Sequence, residues 1–315
     1  MSTLLFSRNQ IVLAKVEASR GVDASPTGSD AILCEVINPT VDGQTLENRV
    51  VRGSISEQPT KYTNKTVKAT IVVPMKGSGT AGVAPEFGPL MQACAMKETL
   101  VDTEGSEAAK YKPTNSDSEM KTVTLYIFKD GLRIKAVGCM GNMKFAGKYG
   151  EYPTLTFDME GIFAGAGDAS NPTPTYDTTD PVEMKSEGFA FGEWDDAVAR
   201  EIGFETGNTL VSRGNINAAN GIMPYVVTAR APKWSASIEA VLESENTFWG
   251  DFEDRDTVEL GFTHGTEAGN IVEFSAPKAN FNAPSFSEEN SLNMYSLGGQ
   301  LLENSAADNF EMVFK

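Results

Sequence analysis

Seven short segments of this chain, 66–73, 122–128, 154–159, 225–228, 234–242, 257–262 and 292–297, are rich in β-branched and aromatic residues, often at alternate positions. A period of two lines one face of a pleated strand and does not fit the 3.6-residue period of a helix. Asp130-Gly131, just past the second segment, is a hairpin signal, because such a turn needs positive φ. Helix signals are confined to two places. Residues 89–97 read as a short helix with proline in its first turn and Leu90, Ala93 and Cys94 facing inward. Residues 245–254 read as another, with Phe248 and Phe252 four apart. A hydrophobic content of 40% over 315 residues is enough to bury a core. The expected fold class is mainly β.

The chain also repeats itself. Val50-Val-Arg52-Gly53-Ser-Ile55 recurs as Val211-Ser-Arg213-Gly214-Asn-Ile216, and Thr122-Val-Thr-Leu125 recurs as Thr257-Val-Glu-Leu260. Residues 131–161 align with 269–299 without a gap, matching Asn142 with Asn280, Glu151 with Glu289, and Phe157 with Tyr295. The order is kept, and the change in offset corresponds to one deletion in the second half. It falls where the first half has a Gly-rich loop, a helix and the polar stretch 102–119. Between the halves, Asp168-Ala-Ser-Asn-Pro-Thr-Pro-Thr-Tyr-Asp-Thr-Thr-Asp-Pro181 has three prolines and little to bury. The expected organisation is an N-terminal arm (1–30), a first domain (31–167), a linker (168–182) and a second domain (183–315) produced by internal duplication.

Charge excludes some function classes. Asp and Glu number 43 against 26 Lys and Arg, a net of −17, which argues against a surface that grips nucleic acid through phosphate. Residues 1–170 hold 18 basic and 19 acidic residues, whereas 171–315 hold 8 and 24. The two halves are therefore expected to face different surroundings. No apolar run approaches the roughly 18 residues of a membrane span, and residues 1–10 are too short and polar for a signal peptide. Cys34, Cys94 and Cys139 are odd in number and widely spaced, and they read as buried reduced thiols in a cytosol-made protein. His264 is the single histidine, so no zinc cluster is expected.

Several stretches could carry chemistry. Gly77-Ser-Gly79-Thr-Ala-Gly82 spells the dinucleotide fingerprint after a strand and before a helix. Pro74-Met-Lys76 separates it from the strand, Pro85 and Pro89 delay the helix, and no further βα units follow. A structural loop is the better reading. Asp251-Phe-Glu-Asp-Arg-Asp256 has Asp256 and Phe262 where a calcium loop needs glycine and glutamate, so it reads as a solvated turn. Asp195-Asp196 and Glu288-Glu289 are adjacent pairs that a strand points to opposite faces, which does not suit a glycosidase. His264 lies in Phe-Thr-His-Gly-Thr, read as a turn, and no G-x-S-x-G serine accompanies it. The first-half cations, Lys61, Lys65, Lys68 and Lys76 among them, are interleaved with acids and read as strand-face charges. No enzyme, cofactor or metal is expected.

Three stretches resemble a known family. The opening Gln10-Ile-Val-Leu-Ala-Lys-Val-Glu17-Ala-Ser-Arg-Gly21-Val-Asp23-Ala-Ser-Pro26 is similar to the N-terminal arm of major tail tube proteins of long-tailed bacteriophages. So is Gly77-Ser-Gly79-Thr-Ala-Gly82-Val-Ala-Pro85 with the following short helix and Cys94. A third match is 207–213 with Arg213, followed by Gly221-Ile-Met-Pro224-Tyr225 and on to Arg230. The assembly candidates carried by these stretches and by the repeat are Glu17, Gly21, Asp23, Arg52, Gly53, Gly77, Gly79, Gly82, Pro85, Arg213, Gly214, Gly221 and Tyr225.

The resemblance implies tandem duplicated, tail-tube-like β-sandwich domains, each with a short flanking α-helix. It implies a structural virion protein whose rings stack into a hollow, sheathless tail tube. Its partners would be other copies of itself, a tape measure protein and a tail terminator, with DNA passing the lumen without specific binding and no membrane involved. Made in the host cytoplasm, it would end in the virion tail. Duplication favours trimeric rings with pseudo-sixfold symmetry, and a hexameric ring with the second domain outside is the competing arrangement. The arm 1–30 and the polar segments 53–66 and 102–119 are the expected reach to the next ring, ordering on assembly. The lumen is expected to be acidic, because a basic wall would stall DNA. Another β-rich virion component, such as an adhesin or receptor-binding tail protein, is the alternative.

Overall fold

The computed structural model describes residues 4–315 apart from 52, 186, 187, 193, 195, 196 and 306. Arg52 and the Asp195-Asp196 pair thus lie outside the described residues. The first half supplies β1 (Gln10–Val16), β2 (Ala31–Ile32), β3 (Val36–Leu46), β4 (Lys61–Pro74), α1 (Gly88–Ala93), β5 (Met96–Val101), β6 (Ala108–Pro113), β7 (Val123–Lys129), β8 (Leu132–Lys148) and β9 (Thr154–Asp168). The second half supplies β10 (Ala190–Phe191), β11 (Ala199–Glu205), β12 (Asn208–Val211), β13 (Val226–Arg230) and β14 (Lys233–Glu239). It continues through α2 (Phe248–Asp254), β15 (Thr257–His264), β16 (Val272–Asn280), β17 (Ser285–Glu289), β18 (Leu292–Gln300) and β19 (Glu311–Phe314). The protein is mainly β and antiparallel. Each of the seven alternating segments contributes to a strand, and both helix signals fall on a helix.

The alternation builds these strands directly. In β4 the inward set Val67, Ala69, Ile71 and Val73 is buried, while the intervening residues are partly or fully exposed. The Asp130-Gly131 turn between β7 and β8 has positive φ at both residues, as its sequence requires. In α2 the expected pair divides: Phe248 is buried and Phe252 is exposed, because one turn of so short a helix meets the core.

Two sheets pack face to face. The larger has 11 strands, and one path across it runs β17-β18-β14-β11-β8-β9-β4-β3. The smaller has 6 strands in the order β10-β15-β16-β19-β6-β5. Aromatic rings fill the space between them. Phe204 of β11 stacks on Phe274 of β16 at 4.4 Å, and Phe145 of β8 stacks on Phe262 of β15 at 5.3 Å. Phe87, just before α1, meets Phe314 of β19 edge-on at 5.8 Å. Each ring buries large apolar area and gains from offset or edge contact.

Both sheets run across the segment 168–182. Strand β8 carries β7 beside its first half and β11 beside its second, with β9 along its other edge. It changes partner at an irregularity between Val137 and Met140, where Gly138 has φ +61. In the smaller sheet the C-terminal β19 lies between β16 and β6. One apolar cluster accordingly holds residues from Val12 to Phe314. The expected domains 31–167 and 183–315 are thus joined by shared sheets and a shared core. The expected linker is a strap: Ala169 and Tyr176 cover Ile11, Leu13, Tyr126 and Phe128 on the outer face of β1 and β7. Of the expected arm, 10–16 form β1, paired with β7 along its whole length, because its apolar run Ile11–Ala14 has both faces covered.

Two further expectations change. Within 102–119, residues 108–113 form β6 with Tyr111 fully buried, so this polar stretch carries a core strand. His264 is the last residue of β15, paired with Val272 and buried, rather than in a turn.

Candidate assembly surface

Three clusters fix the stretches singled out in the sequence. The first is the Gly-rich loop. Gly77 N donates to Asn270 Oδ1 at 2.8 Å, and Gly79 N donates to the Gly269 carbonyl at 3.0 Å. Asn270 Nδ2 in turn donates to the Asp180 carbonyl at 3.0 Å. Lys76, 2% exposed, donates from Nζ to the carbonyls of Asp177 at 2.9 Å and Thr179 at 3.0 Å, with Asp177 Oδ2 3.9 Å away. The loop is therefore a clasp that ties the strap to the β15–β16 turn. Close approach explains the glycines: a Cβ on Gly77 would lie 2.0 Å from the Gly269 oxygen, and one on Gly79 2.5 Å from Thr179 Oγ1. Amides that a dinucleotide phosphate would need are spent on protein acceptors. Gly82, at φ +76, and buried Pro85 lead from the clasp into α1.

The second cluster surrounds Glu17. Its buried carboxylate accepts from Thr122 Oγ1 at 2.6 Å, Thr124 Oγ1 at 2.9 Å, Gly138 N at 2.7 Å and Gly21 N at 2.6 Å. Four donors satisfy a charge that would otherwise be costly to bury. Pro224 wedges between Gly21 and Gly138, leaving no room for a Cβ on either. Next to it Tyr225 is buried against Ala95 and Met140. Beside it, Asp23 accepts from Tyr126 Oη at 2.6 Å and Ser25 N at 2.8 Å and pairs with Lys135 at 3.3 Å. Burial raises its pKa, but the Tyr126, Ser25 and Lys135 hydrogen bonds outweigh it and hold the carboxyl below its ordinary 3.8.

The third cluster holds the turn after α1. Asn208 Nδ2 donates to the Cys94 carbonyl at 2.9 Å, and Arg230 Nη2 donates to the Thr114 carbonyl at 2.8 Å. Burial pushes the Cys94 and Cys139 thiols up, and burial together with Glu86 pushes Cys34 up to about 12. All three are free thiols, Cys94 and Cys139 buried as expected and Cys34 only half-buried.

The three family-like stretches thus meet around β8 and α1. Other candidates do not join them. Gly53, Arg213 and Gly214 sit on exposed loops, and Gly221 packs against Asn64 of β4. Sequence reasoning passed over the structural roles of Lys76, Asn270 and Pro224, because nothing local to them names a distant partner. It also passed over the exposed apolar residues. Val51 is 95% and Ile55 106% exposed in the loop joining β3 to β4, and Ile216 is 99% exposed between β12 and β13.

Glu288 and Glu289 lie on β17, and Arg200 Nη1 comes within 3.6 Å of Glu289. Among the described residues, no group of three or more His, Cys, Asp or Glu could hold a metal ion, and no helix is long and apolar enough to cross a membrane.

No curated protein matches the chain. A family model described as phage tail tube protein matches residues 7–300, from Ser7, three residues before β1, to the end of β18. With this match spanning nearly the whole β-sandwich, the chain belongs to the phage tail tube protein family, a structural component of the virion tail.

Proposed function

We propose that this chain is the major subunit of a sheathless tail tube, assembling with copies of itself into stacked rings around a DNA channel. The observation that carries the proposal is the pair of exposed apolar loops. Ile55 and Ile216 occupy equivalent places in the repeated Val-x-Arg-Gly-x-Ile motif, and both stand in solvent. Such side chains gain by burial only when another molecule covers them.

The duplication reading has support in the pairing order. The antiparallel trio β3-β4-β9 in the first half has a counterpart in β11-β14-β18 in the second. Two copies of one unit per chain would let three chains supply six quasi-equivalent segments, giving trimeric rings with a heterologous interface that closes. The chain's role is structural rather than catalytic. A tape measure protein inside the lumen and a terminator at the tube end complete its partners, and the subunit is made in the host cytoplasm. The lumen is acidic, with most of its charge from the second half, so DNA passes without specific binding.

Negative-stain microscopy of the purified protein at high concentration tests the reading. Striated hollow tubes are the expected result, with end views counting subunits per ring. Persistence as monomers or irregular aggregates at every concentration overturns it. A net positive lumenal wall in the assembled tube would overturn the acidic channel alone.

A further inference from the structure

The path β17-β18-β14-β11-β8-β9-β4-β3 has two free ends. Among the described residues, strand β17 pairs only with β18 and β3 only with β4. Eight strands at about 4.8 Å spacing put these ends on the order of 34 Å apart measured along the sheet. Their surfaces are opposite in kind.

At the β17 end, Phe286 is 62% exposed and rests on Tyr295 at 5.0 Å and near Trp249 of α2 at 6.3 Å. Trp249 and Phe252, three apart on α2, are also exposed. Acids surround this aromatic patch: 243–256 holds Glu243, Glu245, Asp251, Glu253, Asp254 and Asp256 against Arg255 alone, and β17 adds Glu288 and Glu289. Glu253 and Asp254 make no ion pair among the described residues.

At the other end, the β3–β4 hairpin exposes Leu46, Val50, Val51, Ile55 and Tyr62. Its strand β4 holds Lys61, Lys65 and Lys68 and no acid, while Asp42 of β3 and Glu47 and Glu57 of the loop are its acids, Glu47 paired with Arg49. Lys68 pairs with Glu160, whereas Lys61 and Lys65, both exposed, pair with no carboxylate among the described residues.

We propose that the β3–β4 hairpin of one copy docks on the acidic aromatic patch of α2 and β17 of the next copy. This rests on the self-assembly reading above and names its two mating surfaces. Aliphatic side chains of the hairpin cover Trp249, Phe252 and Phe286, and Lys61 and Lys65 face Glu253 and Asp254. Two different, complementary surfaces at the two ends of the strand path make the contact head-to-tail, so it propagates, and like-charged mispairings are penalised.

Charge exchange on the full-length chain tests it. K61E/K65E alone and E253K/D254K alone should each raise the concentration for half-maximal assembly roughly tenfold or more, measured by sedimentation, with melting temperatures unchanged. All four substitutions in one chain should restore assembly towards that of the parent. As an independent readout, I55C and F286C chains in a Cys34→Ser background should form an intermolecular disulfide when mixed and oxidised. Normal tubes without cross-link or charge rescue overturn the docking while leaving the tube reading intact. A parent chain that sediments as a monomer at every concentration overturns both.

Discussion

Single side chains hold this molecule together where its segments cross. Lys76 is the clearest case, a buried ammonium anchored by two strap carbonyls beside Asp177. Lys76→Met removes those bonds and leaves the carbonyls and the carboxylate without their cation. It should cost about 2–4 kcal/mol in denaturant unfolding and speed protease cleavage within 168–182. Gly138 must adopt φ +61 with Pro224 2.7 Å from where a Cβ would sit. Gly138→Ala should therefore destabilise by about 2–4 kcal/mol in the same measurement. Asp23 sets a pH dependence whose sign follows from its lowered pKa. Its hydrogen-bonded carboxylate contributes stability above the ordinary pKa of 3.8, and that contribution is lost as pH falls through the lower folded value. The stability gap between the parent and Asp23→Asn should narrow as pH falls from about 5 towards about 2, when followed by chemical denaturation. A gap that stays constant over this range would remove Asp23 from the acid response.

Among the elements, the β3–β4 hairpin differs from the rest. The inner part of β4 is core, whereas almost all described residues of the loop 47–60 are exposed, Val50, Val51 and Ile55 among them. Replacing 48–59 by a short turn should shift the melting temperature by only about 3 °C or less, since closing a shorter loop costs little entropy. The same deletion should abolish tubes in negative stain. Tubes formed by the shortened chain would exclude the loop from assembly. The elements themselves were largely legible in the sequence. Alternation located strands such as β4 and β15, and Asp130-Gly131 located the β7–β8 turn. What local patterning missed was context. Residues 108–113 look polar because Lys110 and Lys112 alternate with Ala109 and Tyr111, and only the neighbouring β19 shows that the second set is core.

For the molecule as a whole, shared sheets have a thermodynamic consequence. Because β8 bridges to β11 and β19 inserts beside β6, neither half can close its sheets alone. Differential scanning calorimetry should show one cooperative transition, with calorimetric and van't Hoff enthalpies in agreement. Fragments 1–170 and 171–315 made separately should fail to give a cooperative transition. Two independent transitions in the intact chain would show that the halves are energetically separate. The amino-acid sequence by itself determined the mainly β class, the Asp130-Gly131 turn, the split of charge between halves and the family resemblance. Each of these is written in composition or in spacing within a few residues. Only the tertiary structure decided that the halves share one core, that 168–182 is a clasped strap, and that β1 is a buried strand. A period-two pattern states which way a side chain faces but not which strand lies alongside. That choice is made by packing between residues far apart in the chain, as when Pro224 finds Gly21 and Gly138, or Lys76 finds the carbonyls of the strap.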